Sequence, residues 1–192
     1  MGINLANVTK KYDNKIVLNN FSYDIKVGKT TCIMGASGSG KTTLLRILMG
    51  LELPDDGHVE GLSGLKKSVI FQEDRLCGNL TVATNIKMTS QVPLEATYLL
   101  EAIKEVGLPS DCLMQPVHTL SGGQKRRVAI FRALMTEYDI LFMDEPFKGL
   151  DVRTKQQVME DVKVSTQGKT VILVTHDELE CELMSDEVIY LR

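Results

Sequence analysis

The stretch TTCIMGASGSGKTTLLRILMG, residues 30–50, decides the fold of this chain. Its first five residues are apolar or β-branched, as in a buried strand, and its last part has apolar residues at helical spacing before a terminal Gly50. Between them lies GASGSGKT, residues 35–42, a glycine-rich loop that joins the strand to the helix. In this context such a loop turns successive backbone N–H groups toward phosphates, whereas an ordinary Gly/Ser loop would not require these flanks. The stretch therefore predicts a nucleotide-binding P-loop.

The P-loop assigns roles to single side chains. Lys41 is expected to reach the β- and γ-phosphates, and the Thr42 hydroxyl to coordinate Mg²⁺. The predicted nucleotide-binding residues of this stretch are Gly35, Ser37, Gly38, Ser39, Gly40, Lys41, Thr42 and Thr43.

The rest of the chain alternates short apolar runs with helical stretches, which indicates an α/β fold with a mostly parallel sheet. Predicted buried strands lie at 30–34, 67–71, 139–143, 170–175 and 187–191. A helix is predicted from Pro93 to Gly107. We expect a single domain over 1–192, with an antiparallel β lobe at about 1–30 and 51–66 and an inserted helical lobe at about 76–118.

Composition excludes several classes of protein. The 192 residues are 43% hydrophobic, which suits one buried core, and the net charge of −3 gives no general attraction to nucleic acid or anionic lipid. Four scattered cysteines indicate free thiols in a reducing compartment, and no apolar stretch is long enough for a membrane span. The cationic cluster Lys125, Arg126 and Arg127 is interpreted as a solvated helix face.

An acidic pair follows the predicted strand at 139–143. Asp144 is placed to hold Mg²⁺, and Glu145 to orient and deprotonate a water that attacks the γ-phosphate. The alternative is a turn or a helix cap, which the P-loop makes the weaker interpretation.

Two further polar residues follow predicted strands at the edge where open α/β sheets bind ligands. His176 is a candidate hydrogen-bond donor to the γ-phosphate, and the Gln72 amide is a candidate contact for both Mg²⁺ and water. The alternatives are a structural histidine and a surface glutamine.

The stretch LSGGQKRR, residues 120–127, begins a helix in an unusual way. Ser121 can cap a helix, but Gly122 and Gly123 disfavour it, by roughly 1 kcal/mol each relative to alanine. An uncovered helix start rich in N–H donors suits an anion, so this stretch indicates a second anion site.

Taken in order, the motifs GASGSGKT, FQ, LSGGQ, ILFMDEP, GLD and VTH resemble the nucleotide-binding subunit of ATP-binding cassette (ABC) transporters over nearly the whole chain. LSGGQ is the signature of that family. The resemblance implies an ABC ATPase fold, with ATP and Mg²⁺ bound and ATP hydrolysed. It also implies a head-to-tail dimer with a second copy or a homologous subunit, in which Ser121, Gly122, Gly123 and Gln124 bind the ATP held by the partner.

The resemblance implies further roles and partners. Tyr12 matches the aromatic residue that stacks on adenine, against the alternative of an exposed strand tyrosine. Gln72 matches the residue that links nucleotide to the membrane partner, and Asp151 the contact to the opposite subunit. The expected partner is an integral membrane permease on a separate chain, at the cytoplasmic face of the cell membrane. An extracytoplasmic substrate-binding protein is a further partner that the resemblance allows, and no nucleic acid is expected.

The stretch FQEDRL, residues 71–76, looks most like importers of the nitrate, sulfonate, taurine and thiamine-precursor type. Two stretches depart from the family pattern: FKGLD has Lys148 and Gly149 where small residues are usual, and the segment around 57–72 is short, which predicts a reduced β lobe. Two other functions stay open at this point: a soluble ABC ATPase that acts on nucleic acid or ribosomes, and an ATP switch that does not hydrolyse.

Overall fold

The computed structural model describes residues 2–13, 15–90 and 93–191. Residues 1, 14, 91, 92 and 192, which fall within the predicted domain and its lobes, lie outside the described residues. The strands are β1 (Ile3–Tyr12), β2 (Lys15–Ile25), β3 (Thr30–Gly35), β4 (Asp56–Glu60), β5 (Lys67–Ile70), β6 (Ile140–Asp144), β7 (Thr170–Val174) and β8 (Glu187–Leu191). The α-helices are α1 (Lys41–Met49), α2 (Val82–Lys87), α3 (Ala96–Ala102), α4 (Gly122–Leu134), α5 (Val152–Ser165) and α6 (Glu178–Met184).

The five strands predicted from buried apolar runs form one parallel sheet, in the order β5-β6-β7-β3-β8. This confirms the prediction of a parallel α/β core. The order places β6 and β7 side by side, with Asp144 paired to Val174 at their carboxyl ends. Residues that follow these two strands are therefore neighbours in space.

Both faces of the parallel sheet are buried, because successive side chains of its strands enter two different hydrophobic clusters. In β6, Phe142 packs in the cluster that includes α1, whereas Met143 packs in the cluster that includes α4, α5 and α6. The continuous apolar runs in the sequence are explained by this burial on both sides.

A second, antiparallel sheet has the order β2-β1-β4. Its inner residues, such as Leu5 and Leu18, belong to the same cluster as Phe142 and the buried face of α1. The antiparallel sheet therefore covers α1 and one face of the parallel sheet. Its strand β2 passes close to Gly40 of the P-loop.

The segment from 76 to 118 contains α2, α3 and three short 3₁₀ helices at Ile103–Val106, Ser110–Met114 and Val117–Thr119. Its apolar side chains form a third cluster that also includes Phe131 of α4. The prediction of one helix from Pro93 to Gly107 is wrong. The α-helix begins at Ala96, after Glu95, and tightens into the 3₁₀ helix at Ile103, as is common at helix ends.

The solvated face expected for Lys125, Arg126 and Arg127 is wrong for Arg126, which is only 4% exposed. α4 packs between the parallel sheet and the helical segment, so its cationic residues do not all reach solvent. Among the described helices, none has the length and hydropathy needed to cross a bilayer.

Candidate functional site

The P-loop lies between β3 and α1, where side chains would not fit at two glycines. A Cβ added to Gly35 would come within 2.5 Å of the Leu191 carbonyl oxygen, and one added to Gly40 within 2.9 Å of the Val17 carbonyl oxygen. Gly40 also has φ of 95° at the position that caps α1. The close approach of backbone from β8 and β2 therefore requires glycine and fixes the shape of the loop.

Lys41, the first residue of α1, is only 8% exposed. Its Nζ donates to the carbonyl oxygens of Gly35 at 2.8 Å and Ala36 at 2.9 Å, so the ammonium group lies inside the loop. The neighbouring Ser39 hydroxyl is buried and has no hydrogen-bond partner among the described residues. A cation held at the loop and an unpartnered hydroxyl beside it fit an anion with several acceptor oxygens, such as a polyphosphate.

A cavity of about 620 Å³ opens at the P-loop. Its volume lies within the range of small-molecule sites. The residues that line it come from β2, the P-loop and the ends of three strands of the parallel sheet: Val17, Gly35, Ala36, Ser37, Gly38, Gly40, Lys41, Thr42, Thr43, Gln72, Glu145, Lys148, Val174 and His176. The predicted catalytic residues Glu145, His176 and Gln72 therefore share one cavity with Lys41.

The three residues predicted to bind Mg²⁺ through side-chain oxygens line a second cavity of about 240 Å³ beside the first: Thr42, Gln72 and Asp144. Burial raises the pKa of Asp144, and the neighbouring Glu145 raises it further, while a hydrogen bond from Thr42 opposes the rise. A hydroxyl, an amide and one carboxylate suit Mg²⁺, because this ion usually takes few ligands from protein and fills its other coordination positions with phosphate oxygens and water. Within the described ranges, no group of three or more His, Cys, Asp or Glu side chains forms a metal cluster.

Glu145 follows β6 and has φ of 45°, a conformation that is uncommon for a residue with a side chain. Its Oε1 lies 2.9 Å from His176 Nδ1, and its Oε2 lies 3.1 Å from Lys148 Nζ. Burial acts to raise the pKa of Glu145, but the contacts with Lys148 and His176 outweigh it, and the net pKa lies below the usual range. Glu145 is therefore held as a carboxylate inside the cavity.

His176 follows β7 and contacts Glu145 rather than standing free. If Nδ1 donates to Glu145, a neutral ring has no proton left on Nε2, and only the imidazolium form donates from both nitrogens. Donation to a γ-phosphate therefore requires a protonated ring or a break in the contact with Glu145. The sequence did not predict this restriction.

Lys148 was noticed in the sequence only as a departure from the family pattern. The structure places it in the P-loop cavity, three residues after Glu145 in the same turn and paired with that carboxylate. The spacing Glu-x-x-Lys immediately after a strand is the signal that would have predicted this pair.

Tyr12 ends β1 and is 42% exposed. Its hydroxyl donates to Glu52, and the Lys10 ammonium lies 5.7 Å from the centre of its ring. The hydrogen bond with Glu52 raises the pKa of Tyr12, and one with Thr43 acts to lower it, so the tyrosine hydroxyl lies near the first turn of α1. Tyr12 is not among the residues that line the 620 Å³ cavity, although its neighbour Thr43 is.

The signature stretch begins α4 with a capping box. Gln124 N donates to Ser121 Oγ at 3.3 Å, and Ser121 N donates to Gln124 Oε1 at 2.9 Å. The sequence predicted an uncovered helix start, whereas in the structure the capping box satisfies part of it. Within the described part of the chain, Gly122 and Gly123 N–H have no hydrogen-bond acceptor, and a Cβ on Gly122 would meet nothing within 4 Å. These two donors remain available to an anion.

The signature stretch and Asp151 are both absent from the lining of the P-loop cavity. Asp151 is the N-cap of α5, where its Oδ1 accepts from Thr154 N at 3.0 Å. A Cβ on Gly123 would lie 3.6 Å from the Leu150 side chain, so the signature and the Asp151 turn are neighbours. The structure thus brings these two motifs together, apart from the P-loop cavity of the same chain.

Arg126 was not predicted as a functional residue. Its buried guanidinium contacts the backbone that carries Gln72 and the backbone that carries Asp144 and Glu145. In the sequence Arg126 stands between Lys125 and Arg127, and no spacing rule distinguishes it from these two cations.

Comparison with known proteins gives a consistent result. The family model described as ABC transporter matches residues 18–148. The aliphatic sulfonates import ATP-binding protein SsuB 1 of Rhodococcus jostii is 38% identical over all of this chain and 79% of its own length. The spermidine/putrescine import ATP-binding protein PotA of Acetivibrio thermocellus is 36% identical over 99% of this chain, which spans only 58% of that protein. A solved dimeric ATP-binding cassette, MJ0796 bound to ADP and Pi, superposes with a TM-score of 0.85 at 32% identity, covering 99% of this chain and 94% of that one.

Proposed function

Since this chain belongs to the ABC transporter family, we propose that it is the subunit that binds and hydrolyses ATP to power a membrane importer. The family and fold inferred from the motifs are confirmed by the family match and the solved cassettes. The observation that carries the function is the single cavity in which the P-loop and Lys41 lie with Glu145 and His176.

ATP binding follows from the P-loop. Its backbone N–H groups and Lys41 Nζ hold the phosphates, and the Gly35 and Ala36 carbonyls that now accept from Lys41 are exchanged for phosphate oxygens. The unpartnered Ser39 hydroxyl gains an acceptor in the same event. Adenine stacks on Tyr12, whose exposed ring lies beside the start of α1.

Hydrolysis is phosphoryl transfer to water. The water oxygen forms a bond to the γ-phosphorus, the bond from that phosphorus to the β–γ bridging oxygen breaks, and the water proton passes to Glu145. Thr42, Asp144 and Gln72 would hold Mg²⁺, which would neutralise charge on the phosphates when bound. His176 positions the Glu145 carboxylate through the 2.9 Å contact. Lys148, which is paired with Glu145, adds a second positive charge to this cavity.

The active form is a head-to-tail dimer of two copies. The Gly122 and Gly123 N–H groups, which have no acceptor among the described residues, lie outside the cavity of their own chain, so they are available to the γ-phosphate held by a partner. The solved cassette that superposes on this chain is dimeric and carries ADP and Pi, which supports this arrangement. ATP then joins the two copies and its hydrolysis releases them.

The importer is completed by a permease on another chain at the cytoplasmic face of the membrane. Exposed apolar side chains of the helical segment, Met88 and Met114 among them, suit contact with such a partner. Relatives named for sulfonate import and for polyamine import have almost the same identity to this chain, so we assign the choice of cargo to the other subunits. The alternative of an ABC ATPase acting on nucleic acid is not favoured, because these relatives are import proteins.

Release of phosphate from Mg-ATP by the purified chain tests this function. The wild-type protein should hydrolyse ATP, whereas Lys41→Ala should bind it weakly and show no turnover, because the phosphates lose their main cationic partner. The matched control is Lys104→Ala, which removes an exposed lysine of the helical segment and should have no effect. Turnover near the wild-type rate in Lys41→Ala would refute the P-loop assignment.

A further inference from the structure

Arg126 is a buried cation that joins the two catalytic segments of the chain. It lies on α4, five residues after the signature residue Ser121, and its side chain is 4% exposed. The five N–H groups of its guanidinium make six hydrogen-bond contacts, because three acceptors share the two hydrogens of Nη1. Nε donates to Pro146 O at 2.6 Å; Nη1 to Phe71 O at 2.6 Å, Gln72 O at 3.3 Å and Asp74 Oδ1 at 3.2 Å; and Nη2 to Glu145 O at 2.7 Å and Asp144 O at 3.3 Å.

These contacts divide into two groups. One edge of the guanidinium holds the stretch 71–74, which carries Gln72, and the other holds the stretch 144–146, which carries the acidic pair. Burial of a charge is costly unless its donors are satisfied, and here five backbone carbonyls and one carboxylate satisfy them. A planar fork with fixed donor directions sets the relative position of the two stretches more strictly than separate side chains would.

The same helix reaches the proposed ATP site of the partner. Five residues of α-helix separate Ser121 from Arg126, a rise of about 7.5 Å, and the helix is stiff over that length. Any shift of the helix start therefore moves the guanidinium. The movement is passed to the backbone of Gln72 and Glu145 through hydrogen bonds of 2.6–3.3 Å.

We propose that Arg126 is a positioning residue that couples the two ATP sites of the dimer. When the signature of one subunit engages the ATP of its partner, Arg126 sets Gln72 and Glu145 of its own subunit for hydrolysis. The inference rests on the proposed function, in particular on the signature acting on the partner's nucleotide. Arg126 touches no substrate, and it acts only through the two catalytic segments.

Arg132 provides a matched control on the same helix. Its guanidinium also donates to the stretch after β5, to Arg75 O at 2.9 Å and Asp74 O at 3.2 Å. Within the described residues, the Arg132 guanidinium donates neither to the 144–146 stretch nor to the carbonyls of Phe71 and Gln72. Arg132 thus supports the same loop without joining the catalytic segments.

The test measures ATP hydrolysis against ATP concentration for the wild type, Arg126→Gln, Arg126→Lys and Arg132→Gln, with nucleotide binding and thermal unfolding measured in parallel. Arg126→Gln should keep the ATP affinity of the isolated subunit, because Lys41 and the P-loop are unchanged. Its kcat should fall about 10- to 100-fold, the usual effect of removing a residue that orients the contacting groups of a site without itself touching the ligand. Its Hill coefficient should fall from the cooperative wild-type value toward one.

Arg126→Lys keeps the charge but not the planar guanidinium, so it should retain more of both kcat and cooperativity than Arg126→Gln. If Arg126→Gln does not fold, the comparison of Arg126→Lys with the wild type tests the coupling role. Arg132→Gln should behave as the wild type. If the Arg126 variants keep the wild-type Hill coefficient, or if Arg132→Gln lowers kcat as much, the coupling role is refuted. A wild-type protein without ATP turnover, or without cooperativity, would instead refute the proposed shared-site function itself.

Discussion

Replacement of Glu145 by glutamine separates nucleotide binding from hydrolysis. Glutamine keeps the size of the side chain, and its amide oxygen can still accept from His176 Nδ1, but it cannot take a proton from water. Loss of the general base should slow turnover by about 10² to 10⁴, which corresponds to roughly 3–5 kcal/mol of activation free energy. Lys41 and its loop contacts are unchanged, so ATP should still bind.

The same substitution should leave the fold intact. The pair lost with Lys148 involves a side chain that is 55% exposed, so it contributes at most about 1 kcal/mol after solvent screening. Burial is the main cause of the raised pKa of Asp144, and removal of the Glu145 charge takes away a second cause, so the substitution does not disfavour the ionised form of this proposed Mg²⁺ ligand. Binding of Mg-ATP should therefore not be weakened.

With ATP bound and not consumed, the closed dimer should accumulate. Size-exclusion chromatography of Glu145→Gln should show a dimer with Mg-ATP, and monomer with Mg-ADP or without nucleotide, while the wild type remains mainly monomeric. Glu137→Gln, which alters an exposed carboxylate paired with Lys66, is the matched control and should behave as the wild type. A Glu145→Gln protein that stays monomeric with ATP, or that hydrolyses ATP at an undiminished rate, would show that Glu145 is only a turn residue.

Three other perturbations test the site and the fold. Ser39→Ala removes a buried hydroxyl that has no hydrogen-bond partner among the described residues, so thermal stability should be unchanged or raised while the KM for ATP rises; a lower Tm with an unchanged KM would contradict the phosphate role. Phe142→Ala should lower the free energy of unfolding by about 3–5 kcal/mol in urea titrations, whereas Tyr190→Ala, at an exposed position, should have little effect, and equal effects would contradict the assigned core. Hydrogen bonds from Thr30 N and Lys29 depress the pKa of Asp186, so its stabilising contribution is present above the unfolded-state pKa and is lost as pH falls through the depressed value; Asp186→Asn should lower Tm at pH 7 but not in acid, and a pH-independent difference would refute this.

The parallel core was predictable because its strands are buried on both faces. That burial requires uninterrupted apolar runs, and such runs are the clearest pattern that a sequence gives. The strand ends then located the candidate site, since Asp144, Glu145 and His176 each follow one of these runs and β6 pairs with β7.

The helical segment was harder to predict, because its short elements depend on the cluster that they share with α4. The stretch from Pro93 to Gly107 has helical spacing throughout, yet only Ala96–Ala102 is α-helix. Periodicity does not distinguish an α-helix from a helix that tightens into a 3₁₀ turn.

The charged residues of the site were the least predictable. Arg126 and Lys148 each stand among other polar residues, and a cation in such surroundings is usually solvated. Only the packing of α4 against the two catalytic segments buries Arg126, and only the turn after β6 brings Lys148 to Glu145. Both contacts depend on tertiary structure.

Mixing two inactive variants tests the central claim, that each ATP site is built from two copies of the chain. Lys41→Ala damages the P-loop, and Ser121→Arg places a bulky cation at the exposed start of the signature helix, so each homodimer should be inactive. In a mixed dimer both lesions fall on one site and the other site is intact. A 1:1 mixture should therefore regain activity, with a ceiling of about a quarter of the wild-type rate if half of the dimers are mixed and each has one intact site. Coupling through Arg126 would hold the recovered rate below that ceiling, because the signature helix of the subunit that carries the intact P-loop engages no ATP. No recovery, with both variants shown to be folded and to associate, would contradict the account.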